Sequence, residues 1–182
     1  MWKILTWRLA DLTLSGYRKV TSMSRIYSSA LIRQPVELVF NYVTTPGNWP
    51  RWLLSSLAVT GATNHSPRVG EQVIEEFIVA GRLGRAVWTV VERVEPIRWV
   101  IDGEVVGNRN GGRVVFSFHP HGQGATLFER EYFYEPRNRV QRLADRLFIR
   151  TGIARESAEA MARLRERLEE LGANPSVSME TR

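Results

Sequence analysis

The spacing of apolar residues predicts two short helices between residues 35 and 52. One stripe recurs at i, i+3, i+4 and i+7, as on a helix with one buried face; its members are Val36, Val39, Phe40 and Val43. Pro35 stands before this stripe at the first helical position, where its missing N–H costs nothing. Turn residues follow at 45–48, and Trp49 and Trp52 then predict a second helical turn.

On both sides of these helices the pattern changes to runs typical of β-strands, separated by turn residues. The predicted strands are 26–32, 57–60, 71–79, 85–94, 98–104, 113–118 and 125–134. Because the strands after residue 57 follow one another without helices between them, they predict an antiparallel meander and exclude a parallel α/β sheet.

Near-heptad apolar spacing predicts one long helix over residues 137–171. Its stripe consists of Val140, Leu143, Leu147, Ala154, Ala158, Met161, Leu164, Leu168 and Leu171. Gly172 is typical of a residue just past a helix end. We therefore expect one domain over residues 23–172 and a flexible tail over 173–182.

Residues 1–22 form a separate amphipathic segment, since Trp2, Leu5 and Leu9 recur at helical spacing with charged residues between them. Three interpretations stay open. The segment lies weakly on a membrane surface, or it docks on the domain or on a neighbouring subunit, or Met23 is the natural start. A monomer and a homodimer both fit the sequence.

Composition narrows the class of protein without identifying it. The chain has 182 residues, of which 43% are apolar, and no cysteine, so disulfides and thiolate sites are excluded. Lysine and arginine exceed aspartate and glutamate by 25 to 19, but the basic residues are scattered and give no specific nucleic-acid signal. No apolar run approaches the roughly 20 residues that span a bilayer, and no secretory signal is evident. We expect a cytoplasmic protein.

The segment 33–52, R-Q-P-V-E-L-V-F-N-Y-V-T-T-P-G-N-W-P-R-W, resembles the opening of the START-like, helix-grip superfamily that includes the polyketide cyclase/dehydrase and lipid-transport proteins. Later segments agree, namely V-E-R-V-E-P-I-R-W at 91–99 and G-A-T-L at 124–127. The resemblance implies an α+β fold: a curved antiparallel sheet of about six to seven strands wrapped around a long C-terminal helix, with two short helices after the first strand. It also implies an internal cavity for an apolar small molecule.

Side-chain alternation along the strands, together with that fold, predicts the lining of the cavity. The expected ligand-binding residues are Tyr42, Phe77, Trp88, Phe116, Phe128, Arg130 and Tyr132. The alternative is that these aromatic residues fill the core and leave no cavity.

Arg130 is the most informative charge among them. If its face points inward, it needs an anionic ligand or a buried carboxylate; family cyclases imply a role in polarising a carbonyl, together with Tyr132 or Tyr42. A cross-strand salt bridge on the outer face is the interpretation that the residues favour. Glu75 and Glu76 are adjacent, so they point to opposite faces of a strand and cannot act as one acid/base unit.

No catalytic signature, metal site or cofactor is predicted. His119 and His121 flank a proline in a tight turn and lack a third ligand nearby in sequence. Three functions follow from these observations. The first is binding or carriage of a hydrophobic or aromatic small molecule. The alternatives are a cyclase or dehydratase acting on a polyketide-like substrate, and a regulatory module that contacts RNA or membrane.

Overall fold

The computed structural model describes residues 24–79, 81–107, 111–134 and 150–173. The predicted N-terminal extension, the tail after residue 173 and the first part of the predicted C-terminal helix lie outside these ranges. Within them, none of the helices combines the length and the apolarity that crossing a bilayer would require.

Seven antiparallel strands form one sheet in the order β1-β7-β6-β5-β4-β3-β2. Their bounds are β1 Ser24–Ile32, β2 Ser56–Gly61, β3 Gln72–Val79, β4 Arg82–Val94, β5 Arg98–Val105, β6 Gly111–His121 and β7 Ala125–Tyr134. The helices are α1 Val36–Thr44, a 3-10 turn Pro46–Asn48, α2 Trp49–Trp52 and α3 Arg150–Ala173. The predicted helix-grip architecture is confirmed: a curved sheet, two short helices after the first strand, and a long C-terminal helix.

Alternation along the strands separates an inner face, which looks towards the helices, from an outer one. On β7 the inner residues include Phe128 and Arg130, and the strand pairs with β1 so that Arg130 lies opposite Ser28. The outer face carries ion pairs and polar contacts, such as Arg25 with Glu131. Helix α3 packs mainly against β1 and also touches α2.

Helix α3 buries a stripe that differs in part from the predicted one. The buried residues are Ser157, Ala160, Met161, Leu164 and Leu168. Ala154 and Ala158 are exposed, so their predicted place on the buried face is wrong. The buried stripe continues at Ser157 and Ala160, four positions before Met161 and Leu164. Because Ser157 is polar, a count of apolar residues does not include it.

The C-terminal end of α3 is fixed by the corner that follows β1. The side-chain amide of Gln34 donates to the carbonyl oxygen of Leu168 at 3.0 Å, and the backbone N–H of Arg33 donates to Glu169 at 3.2 Å. Gly172 lies inside the helix rather than after it. A Cβ there would collide with the Gln34 side chain, so this glycine permits close packing.

Candidate ligand-binding site

Part of the inner face is a packed aromatic core. Phe118 and Phe128 stack with ring centroids 5.0 Å apart, Trp99 and Phe116 stack at 5.6 Å, and Trp52 meets Phe128 edge-on. The rings on this face come from β5, β6 and β7, while α1 and α2 close over them. Each large side chain buried here contributes roughly 1.5–3 kcal/mol, so this part of the face anchors the fold.

A second part of the inner face has aromatic rings that lie flat against the sheet. Each ring covers a glycine of the neighbouring strand, where a Cβ would collide with it. The pairs are Phe77 over Gly84, Trp88 over Gly103 and Tyr132 over Gly112. Because the glycines have no side chains, the rings pack directly on the backbone and project little from the inner face of the sheet in this region.

A buried carboxyl group lies beside one of these rings. Glu75 on β3 is only 5% exposed, and the indole N–H of Trp88 donates to its carboxyl oxygen at 2.7 Å. The Ser56 hydroxyl is a further neighbour that lowers the Glu75 pKa, although its geometry falls short of a hydrogen bond. Burial nevertheless raises the pKa of Glu75 overall, against the opposing effects of Ser56, Trp88 and the positive charge of Arg130.

Arg130 on β7 brings a positive charge to the same face. Its guanidinium lies over the Tyr132 ring, 5.9 Å from the centroid. Its Nε is buried and has no hydrogen-bond partner among the residues that the structure describes. Burial lowers the pKa of Arg130, while Tyr132, Glu75 and Glu156 of α3 act in the opposite direction.

The predicted outer-face salt bridge for Arg130 is therefore wrong. Its neighbours Glu129 and Glu131 occupy the outer face, where they contact Tyr27, His119 and Arg25. The alternation of β7 places Arg130 between Phe128 and Tyr132 on the inner face.

Arg130 and Tyr132 lie deep in the protein but remain partly exposed to solvent. Both lie deep enough for burial to be the main cause of their pKa shifts, which is upward for Tyr132. Yet both retain solvent-accessible surface. Most of each side chain is therefore removed from solvent, while part of it remains accessible.

The predicted site residues divide into two groups. Phe77, Trp88, Arg130 and Tyr132 share the inner face with Glu75. Phe116 and Phe128 also face inward but are 3% and 0% exposed within the aromatic core. Tyr42 lies half-buried on α1, and its buried hydroxyl finds no hydrogen-bond partner in the described ranges.

Glu75 is an inner-face residue that was not among the predicted site residues. Adjacent positions on a strand exclude Glu75 and Glu76 as a joint acid/base unit, and Glu76 is exposed. The available signal was that Glu75 alternates with Phe77, a residue already predicted to face inward.

The charges of Glu75 and Arg130 influence each other but do not form an ion pair in the described part of the chain. A carboxyl group with a raised pKa can accept or donate a proton, and a guanidinium can bind an oxyanion or polarise a carbonyl. The described residues contain no group of three histidine, aspartate or glutamate side chains placed to hold a metal ion.

Solved structures with this fold come from several sources. A conserved protein from Geobacillus kaustophilus matches with a TM-score of 0.63 and 13% identity over 81% of this chain and 97% of its own. A START superfamily protein from Mycobacterium smegmatis matches with a TM-score of 0.56 and 16% identity over 81% and 98%. The di-domain ARO/CYC protein BexL from the BE-7585A biosynthetic pathway matches with a TM-score of 0.62 and 16% identity over 82% of this chain and 47% of its own. At these identities the likeness shows the fold alone.

Sequence comparison extends beyond the fold. No curated protein is similar enough to match the chain. The model of the family described as "Polyketide cyclase / dehydrase and lipid transport" matches residues 23–169, which is most of the sequence. The chain therefore belongs to the polyketide cyclase / dehydrase and lipid transport family.

Proposed function

We propose that this protein binds an apolar or aromatic small molecule between the inner face of the sheet and helix α3. The family and the fold are consistent with hydrophobic ligand binding and with polyketide cyclase/dehydrase-like activity. The observation that carries the proposal is Arg130, a deep arginine that keeps accessible surface while its Nε lacks a partner within the described residues. Buried polar atoms are rarely left unpaired in a filled core.

The rest of the inner face supports this location. Trp88 and Tyr132 lie over glycines of the neighbouring strands, and the Tyr132 ring also contacts the Arg130 guanidinium and stacks with Tyr134. Aromatic walls with a few polar groups are the usual chemistry of small-molecule sites. Ser28, opposite Arg130 in register, adds a buried hydroxyl that also has no partner in the described ranges.

A neutral fluorescent probe tests the proposal. Phenyl-naphthylamine should bind the purified protein, gain fluorescence and quench tryptophan emission. Ser28→Phe would place a ring beside Arg130, so it should weaken binding about 10-fold or more, equivalent to roughly 1.4 kcal/mol. Ser29→Phe, on the outer face of the same strand, is the matched control and should bind as the parent does. Equal affinities of the two variants would place the site elsewhere, and absence of binding to the parent would refute the proposal.

One observation favours catalysis as a second candidate function. Glu75 and Arg130 supply a proton-exchanging group and a fixed cation on one face, which are the minimum for acid–base chemistry at a carbonyl. A dehydratase acting on a polyketide-like substrate would release a product lighter by one water molecule, whereas a carrier would return its ligand unchanged. Mass spectrometry of extracted ligand before and after incubation distinguishes them.

A further inference from the structure

Among the described residues, no direct contact balances the charges of the proposed site. Arg130 keeps its positive charge under all ordinary conditions, and its buried Nε has no acceptor among the described residues. Glu75 is buried on β3, with the Trp88 indole as its hydrogen-bond donor. Both charged groups are thus present without forming an ion pair with each other.

We infer that the ligand carries one anionic oxygen group, which binds against Arg130, and that a proton enters with it to neutralise Glu75. This inference rests on the proposed function and specifies the ligand as an aromatic or apolar acid. The rest of the ligand would lie against Trp88 and Tyr132, whose rings pack over glycines of the neighbouring strands.

The charge balance explains why binding of an anion beside Arg130 is coupled to protonation of Glu75. If Glu75 is ionised, its charge offsets that of Arg130, and an anion beside Arg130 would bring a further negative charge into the same buried region. If Glu75 is protonated, the same anion neutralises Arg130. The anion also cancels the attraction by which Arg130 favours the ionised form of Glu75. Binding of the anion and protonation of Glu75 therefore support each other.

Among the described residues, few other groups can take over this role. The titratable groups there that interact with Glu75 are Arg130 and Tyr132, both from β7. Strands β2 and β4 face it with the Ser56 hydroxyl and the Trp88 indole, which do not titrate in this range. Helix α3 contributes Glu156, which acts on Arg130. The raised pKa of Glu75 agrees with its being the group that takes up the proton.

Two probes that differ by one anionic group provide the test. Anilinonaphthalene sulfonate carries a permanent charge, while phenyl-naphthylamine has the same ring systems without it. Dissociation constants would be measured by fluorescence from about pH 5 to about pH 8, a range in which the sulfonate itself does not titrate. The sulfonate should bind about 10-fold more weakly at the upper end, and the neutral probe should show little change.

Substitutions assign the effect to the two residues. Glu75→Gln keeps an acceptor for the Trp88 N–H and should remove the pH dependence by holding the tighter affinity throughout. Arg130→Met should weaken sulfonate binding about 10-fold or more while preserving binding of the neutral probe. Arg163→Met, at an exposed position on α3, changes net charge equally and should leave both affinities unchanged.

The outcomes separate this inference from the proposed function. If the neutral probe binds but Arg130→Met leaves sulfonate affinity intact, the anionic ligand is refuted and the proposed function stands. If neither probe binds the parent protein, both fail. If the pH dependence persists in Glu75→Gln, proton coupling through Glu75 is refuted. Should Arg130→Met not fold by circular dichroism, Arg130→Lys replaces it, and retention of charge should then retain sulfonate binding.

Discussion

Replacing Arg130 by methionine should stabilise the empty protein, although it removes a charge and a ring contact. An unpaired buried donor costs about 1–3 kcal/mol, and a charged one costs more. Methionine keeps an unbranched apolar stem of similar reach, so packing beside Phe116 and Tyr132 should largely persist. Loss of the cation–π contact with Tyr132 removes about 0.5–1 kcal/mol. The expected net gain is about 1–2 kcal/mol at a mildly acidic pH, where Glu75 does not depend on Arg130 for its charge.

Urea unfolding followed by circular dichroism measures this gain. The midpoint should rise while the slope stays unchanged, because the native surface hardly changes. In thermal unfolding, about 2–4 °C per kcal/mol is expected for a chain of this size. Arg98→Met is the matched control: Arg98 makes an exposed ion pair with Glu92 at 2.8 Å, so its loss should change stability by no more than about 1 kcal/mol. A clear loss of stability in Arg130→Met would show that Arg130 has an internal partner, and this would contradict the binding of an anionic group at Arg130.

Three further substitutions test other parts of the site and fold. Burial raises the pKa of Glu75 above its ordinary value of 4.5, so ionisation destabilises the folded state: stability should be greatest below that value and fall as the pH rises through the raised pKa. Glu75→Gln should lack this fall in a series of urea midpoints, and an unchanged profile would contradict the shift. Gly103→Ala should lose about 1–3 kcal/mol and alter the Trp88 indole N–H resonance in NMR spectra, because the new methyl group meets that ring; a wild-type spectrum would mean that the ring does not lie there. Gly152→Ala should gain up to about 1 kcal/mol, since nothing lies within 4 Å of its Cβ position in α3, and a measured loss would argue against a helix at this position.

Sequence patterns predict the elements of this fold well because strands and helices leave different periods in the sequence. They predict poorly how deeply each inward-facing side chain is buried. Phe116 and Phe128 alternate with outward residues in the same way as Tyr132, yet the first two are covered by the aromatic core. That difference in burial depends on where α1 and α2 cover the sheet, as in the contact of Trp52 with Phe128. The sequence of a single strand does not determine the position of these helices.

The sequence of one strand also does not determine whether a charged side chain points to the inner or the outer face of the sheet. Both faces of β7 carry aromatic residues, so the period by itself does not show which face looks inward. Pairing in the sheet resolves this, because Arg130 lies beside Phe116 on β6 and Ser28 on β1. Glu75 could have been found by applying the same alternation to β3 without treating it as half of a pair.

The strand order has a consequence for how the chain folds. Five of the six strand pairings join strands that follow each other in sequence, from β2 to β7, and form as hairpins. The sixth joins β1 to β7, so that Ser24 pairs with Tyr134, which lies far from it in sequence. Contacts between distant segments form slowly because a long loop must close first. During synthesis the hairpins can assemble as they emerge, whereas β1 cannot pair until β7 has been made. Helix α3, which also packs on β1, follows β7 in the chain. The first strand of the sheet is thus expected to be among the last to join it, and until then the edge of β7 is open to pairing with another chain.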